Sequence, residues 1–192
     1  MSLEASEIAV AGTGHIWRAP VGTAFPSASG SVDETLWTEL GYTSTGGVRF
    51  SFGKNVTEIM GWQSRDALRV IVKDTPRTVA ADLLQTNQNV WNTAMGGGTW
   101  TEPTNGYYKW TPPAVDYSDE FALIVQAEDD DLWYRWCFRK VLNTTGVEFA
   151  ANRENALMFP VTVKVLAADG GLEPFEFYTN DANLGEFADA GS

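Results

Sequence analysis

At 192 residues, 44% hydrophobic and 20% charged, the chain suits a single globular domain that buries roughly 70% of its unfolded surface. With 13 Lys and Arg against 25 Asp and Glu, its net charge is −12, the wrong sign for tight binding to nucleic-acid phosphates. No apolar run approaches the ~20 residues of a membrane-spanning helix, and the acidic N-terminus lacks the features of a signal peptide, so a protein made and assembled in a cytoplasm is expected.

In chain order, residues 1–13 read as an N-terminal arm and His15 to Arg18 as the first strand. Residues 20–35, PVGTAFPSASGSVDET, have no apolar period and are rich in Gly, Pro, Ala and Ser, which predicts a long loop inside the domain. A strand follows over Leu36 to Gly41. In VRFSFG, Val48, Phe50 and Phe52 alternate with Arg49, Ser51 and Gly53, the pattern of a strand with one buried face. Further strands are expected over Thr57 to Trp62, Leu68 to Lys73 and Thr78 to Leu83.

A short helix comes next, capped by Thr86 or Asn87, with Val90, Trp91, Ala94 and Met95 on one face and Gly96-Gly97-Gly98 as its stop. Its apolar face must lie on a sheet. Strands over Glu120 to Ala127 and Leu132 to Arg139 flank a hairpin tip at Ala127 to Asp131, and two more follow over Met158 to Leu166 and Glu173 to Tyr178. Residues 179–192 read as a C-terminal arm. The expected fold is one mainly β domain over 1–192, a β-sandwich or partly closed barrel with one short flanking α-helix.

The residues with chemical potential favour structural readings, and no catalytic, cofactor or metal site is assigned. His15 is the only histidine and would have to serve any His-dependent triad, yet it lies in an early strand or arm. Cys137, the only cysteine, sits in the strand-like run LWYRWCFRK and reads as a packed thiol. Glu128-Asp129-Asp130-Asp131 lacks the glycine and ligand spacing of a calcium loop and reads as a solvated turn. Gly12-Thr13-Gly14 opens like a dinucleotide fingerprint, but Trp17 stands where the third glycine belongs. Trp100, Tyr107, Tyr108 and Trp110 could stack on a sugar, which keeps a monomeric carbohydrate-binding β-sandwich as the alternative; an aromatic cover over a core edge or a subunit contact is preferred.

Three segments in order, LWTELGYTSTGGVRF, EIMGWQSRDALRVIV and TVAADLLQTNQNVWNTAMGGG, resemble the tail tube (major tail) proteins of long-tailed phages, especially those infecting actinobacteria. The likeness rests on Leu40 to Thr43, Trp62 to Ser64 and Thr78 to Gly98. It implies a virion protein forming six-membered rings stacked into a hollow tube, with tape measure, tail terminator and distal tail proteins as partners and DNA passing without binding. It also gives the long loop and both arms neighbouring subunits to contact, with Pro20, Phe25, Pro26, Asp33, Trp62 and Gln63 as candidate interface residues.

Six copies at −12 each would bring −72 formal charges to a ring, and any share on the lumen repels the duplex within about 8 Å of the wall. Two carboxylates are candidates for that lumen. If Val79, Ala81 and Leu83 meet the core, Asp82 faces the other side of its sheet, and if Ile59 points inward, Glu58 does likewise.

Overall fold

The computed structural model describes residues 8–63, 66–114, 117–144, 146–149 and 156–185. Its strands are β1 (Thr13–Pro20), β2 (Thr38–Glu39), β3 (Thr43–Phe52), β4 (Asn55–Met60), β5 (Ala67–Asp74), β6 (Arg77–Leu83), β7 (Thr99–Thr104), β8 (Tyr107–Thr111), β9 (Glu120–Asp129), β10 (Leu132–Asn143), β11 (Phe159–Val165) and β12 (Phe175–Thr179). Two helices accompany them, α1 (Gln88–Met95) and α2 (Ala182–Gly185). The fold is mainly β, as expected. The four-residue α2 adds a second helix inside the predicted C-terminal arm, and the outermost parts of both arms, residues 1–7 and 186–192, lie outside the described residues.

The main sheet runs β2-β1-β9-β10-β11-β6-β3, with β12 also paired to β10, and it does not close into a barrel. Strand β10 explains how one sheet makes two layers. Its first part, Tyr134 to Phe138, pairs with β12, whereas Val141 to Asn143 pair with β11, and the register against β9 shifts between Phe138 and Val141. Such an irregularity bends a strand and increases its twist. The sheet therefore folds over at Arg139 and Lys140.

Ile16, Phe121, Leu123, Val125 and Phe138 from one layer and Val79, Ala81, Leu83, Val161 and Val163 from the other share one buried cluster. Phe50 against Trp136 at 4.7 Å and Phe52 against Phe175 at 5.6 Å tie β3 across to β10 and β12. The alternation read in VRFSFG thus holds for Phe50, while Phe52 ends the strand half in solvent at 52% exposure.

Helix α1 forms where the sequence places it. The Asn87 side chain accepts from the Val90 N–H at 2.9 Å, and Gly96 adopts the left-handed conformation, φ 73°, that lets its N–H return to the Asn92 carbonyl. Val90 and Ala94 enter the main core beside β11, so the helix sits on the core side of β6, opposite Asp82. Asn143 donates from Nδ2 to the Thr93 and Ala94 carbonyls at 3.0 and 2.9 Å, which supplies partners near the end of the helix.

A second cluster lies on the opposite face of the β1-β9-β10 layer: Trp17, Ala19, Ala122, Ile124, Cys137 and Trp37, with Phe25 and Val32 against it. The long loop therefore has work inside its own chain, as a cover for this face. Trp37, 1% exposed, donates from Nε1 to the Ala24 carbonyl at 3.2 Å, and Arg135, 4% exposed, donates to the Gly30 carbonyl at 2.9 Å. Loops carry no hydrophobic period, so this packing was invisible in the sequence.

Candidate assembly surfaces

Strands β4 and β5 pair only with each other. They form a free hairpin that continues from the β3 and β6 edge of the sandwich. In its register Val56 faces Val72, Glu58 faces Val70, Thr57 faces Ile71 and Ile59 faces Arg69. One hairpin face therefore carries Val56, Glu58, Val70 and Val72, and the other carries Thr57, Ile59, Arg69 and Ile71.

Both faces carry apolar side chains and both are open. Val56, Ile59, Leu68, Val70, Ile71 and Val72 are 43–66% exposed, and Trp62, just beyond β4, is 98% exposed. Ile59 was expected to turn into the core; at 43% exposure it does not, because β4 is not a sandwich strand and no second layer lies over it among the described residues. The premise that sent Glu58 outward by contrast with Ile59 is thus removed. Glu58 is exposed, flanked on its own face by valines. The run RVIV carried the missed signal, since consecutive apolar residues on a strand put apolar side chains on both faces.

Asp82 does stand opposite Val79, Ala81 and Leu83. Its carboxylate takes the Ser44 hydroxyl at 3.4 Å and lies 3.5 Å from Arg49, with 27% of the side chain exposed. The strand registers set Arg49, Ser51, Thr78, Ala80, Thr162 and Lys164 on the same face. That surface is small-residued and mixed in sign rather than uniformly acidic.

The remaining candidate residues divide. Pro20 ends β1 opposite Phe121 and accepts from the Thr23 N–H at 3.2 Å. Phe25 packs tilted against Trp37 at 6.1 Å under the Arg139 guanidinium, and Pro26 is half-buried beside it. Asp33 accepts from the Thr35 N–H and hydroxyl at 2.9 and 2.7 Å, hydrogen bonds that hold its carboxyl below the usual range. Trp62 and Gln63 are fully at the surface.

Groups with chemical potential are occupied structurally. His15 Nδ1 lies 2.6 Å from Glu39 Oε1, both near the surface, and its ring stacks on the buried Trp17 at 5.3 Å. Burial pushes the Cys137 thiol up to about 12, the opposite of an activated nucleophile. Asp130 and Asp131 form the two-residue turn between β9 and β10, where Asp130 takes φ 51° and Asp129 accepts from the Val10 N–H at 2.8 Å. The aromatic band splits as well. Trp100 and Trp110 pair across an unexpected β7-β8 hairpin and turn edge-on to Trp91, whereas Tyr107 and Tyr108 are 71% and 64% exposed. The four rings do not form one platform.

The model of a family described as phage tail tube protein matches residues 1–189 of the chain. No curated protein matches it.

Proposed function

The chain belongs to the phage tail tube protein family, and from that premise we propose that it assembles as stacked six-membered rings into the hollow tube through which phage DNA is delivered. A structural component of the virion tail is what the family implies; the ring number, the stacking and the passage of DNA are our reading. The observation that carries it is the β4-β5 hairpin, with exposed apolar side chains on both faces and a Trp at its tip that is 98% exposed. A lone two-stranded hairpin is marginal in water, and so large an exposed apolar surface marks an interaction site. Neighbouring copies would cover it and at the same time protect the sheet edges from unwanted pairing.

The outer face of β3, β6 and β11 supplies the bore in this account, with Asp82 as its lumen carboxylate. Small hydroxyl side chains and a near balance of charge give DNA little to hold, so passage is by slippage. Glu58 is the weaker lumen candidate, because the valines beside it favour contact with a neighbour. The exposed parts of the loop over residues 20–35 and the two arms reach adjoining subunits, and tape measure, terminator and distal tail proteins meet the tube at its axis and ends. Assembly takes place in the host cytoplasm.

Negative-stain microscopy of the purified protein tests this reading. Rings or tubes with a central channel are expected; monodisperse monomers at high concentration contradict it.

A further inference from the structure

The sandwich is open on one side, where β1 and β9 face β3. A cleft of about 770 Å³ lies there, floored by Ile16, Val48, Phe50, Val125 and Trp136 and rimmed by polar groups that include Glu39. Clefts of roughly 300–1,000 Å³ bury a ligand of drug size, so one indole with its flanking residues fits. The floor is the side of the main core itself: Ile16 and Val125 belong to the central cluster, and Val48, Phe50 and Trp136 pack on it.

The charges at the two surfaces are opposite. Residues 54–74 contain Lys54, Arg65, Arg69 and Lys73 against Glu58, Asp66 and Asp74, a net +1, which leaves −13 on the rest of a −12 chain. The cleft has the acidic turn Glu128 to Asp131 beside it, because the Gly12 N–H, on its lining, donates to the Glu128 carbonyl at 2.9 Å. Complementary fields of this kind steer encounter and fix register.

We propose that the cleft between β1-β9 and β3 receives the β4-β5 hairpin of a second copy of this chain, with Trp62 seated on the Val48, Phe50 and Trp136 floor. Each subunit then carries one hairpin and one cleft. The contact is heterologous, so it propagates from copy to copy and either closes a ring or extends a filament. Seating also covers an apolar surface of the free subunit at both ends, the hairpin of one copy and the open core side of the next. The proposal rests on the assembly reading above and adds the contact that would produce it.

Two measurements test it on the full chain. Tyr42, 74% exposed on the cleft lining, and Trp62 are changed to cysteine together, and assemblies are oxidised mildly. A ladder of disulfide-linked multimers is expected from Trp62→Cys with Tyr42→Cys and from neither single variant. Should the double variant fail to assemble, a photo-crosslinking aromatic amino acid in place of Trp62 keeps a ring at that position, and the adduct is expected on peptides containing Tyr42 or Gln126 of another copy. Tubes that assemble but give no ladder, or an adduct on the outer face of β6, overturn the cleft as the docking site while leaving the tube reading intact. Protein that forms no assemblies in the wild type overturns both.

Discussion

Arg18 grips Asp119 with one guanidinium nitrogen set 2.9 and 2.8 Å from its two carboxylate oxygens, while the other terminal nitrogen reaches the Thr93 hydroxyl at 2.8 Å. Asp119 is only 7% exposed, so the pair pins β1 to the entry of β9 and to α1 at once. Arg18→Met would strand a buried carboxylate without its cation and is expected to cost about 3–5 kcal/mol in urea unfolding. Adding Asp119→Leu should restore part of that loss. A single variant as stable as wild type would show that solvent reaches the site freely.

Trp91 meets Trp100, Trp110, Phe149 and Phe159 edge-on at ring distances of 5.7–6.1 Å, which anchors α1 to the β7-β8 hairpin and to β11. Trp91→Ala is expected to cost about 3–5 kcal/mol, towards the low end because the ring is half-buried. The thermal midpoint reads this directly. An unchanged midpoint would make the aromatic contact dispensable.

The loop over residues 20–35 seals the second cluster, and Cys137 reports on the seal. Its thiol is raised from 9.0 to about 12 by burial, so it stays neutral and should react with a thiol reagent at pH 8 only after unfolding. The folded value lies above the unfolded one, so this group's contribution to stability is complete below about pH 9 and is lost as pH rises towards about 12. Trp37→Ala should make Cys137 reactive in the native state. Rapid labelling of the wild type would contradict the packing.

Much of this architecture was legible. Asn87 and the glycines from Gly96 to Gly98 bounded the helix because capping chemistry is local, and AEDDD marked the β9-β10 turn for the same reason. The β7-β8 hairpin escaped because Pro103 and Gly106 interrupt its strand pattern. What stayed hidden depends on long-range pairing. Nothing near Arg139 and Lys140 announces that β10 changes partners there, and the alternation that placed Asp82 opposite Val79 could not tell a sandwich strand from the free hairpin that carries Glu58 and Ile59. Trp62 and Gln63 became candidates only through the family resemblance.

If the face bearing Asp82 lines the bore, Asp82→Lys adds a cation to the face that already carries Arg49 and Lys164 and turns a mixed surface basic. Together with Glu58→Lys, the change is +4 per subunit, or +24 for six copies. Assembly is expected to survive, and DNA ejection to slow most at low salt, where attraction to phosphate is least screened. Ejection at the normal rate in low salt would remove both positions from the wall; slowing by Asp82→Lys alone would assign the bore to β6 and Glu58 to a subunit contact.

The loop's exposed crest gives a separable test of its outward role. Ala28 is exposed and lies between the inward anchors Phe25 and Gly30. Ala28→Trp should leave the thermal midpoint within about 2 °C, since surface substitutions usually change stability by under ~0.5 kcal/mol, while shortening or abolishing tubes. Full-length tubes from this variant would confine the loop to its sealing role.

The central claim is that this chain builds a tube by repetition, and helical reconstruction of the assembled protein by cryo-electron microscopy tests it most directly. The account predicts six subunits per ring around an open channel, the outer face of β6 with Asp82 turned to the bore, and every β4-β5 hairpin buried against a neighbouring copy. A solid or channel-free assembly, or a tube whose hairpins stand free in solvent, would contradict it.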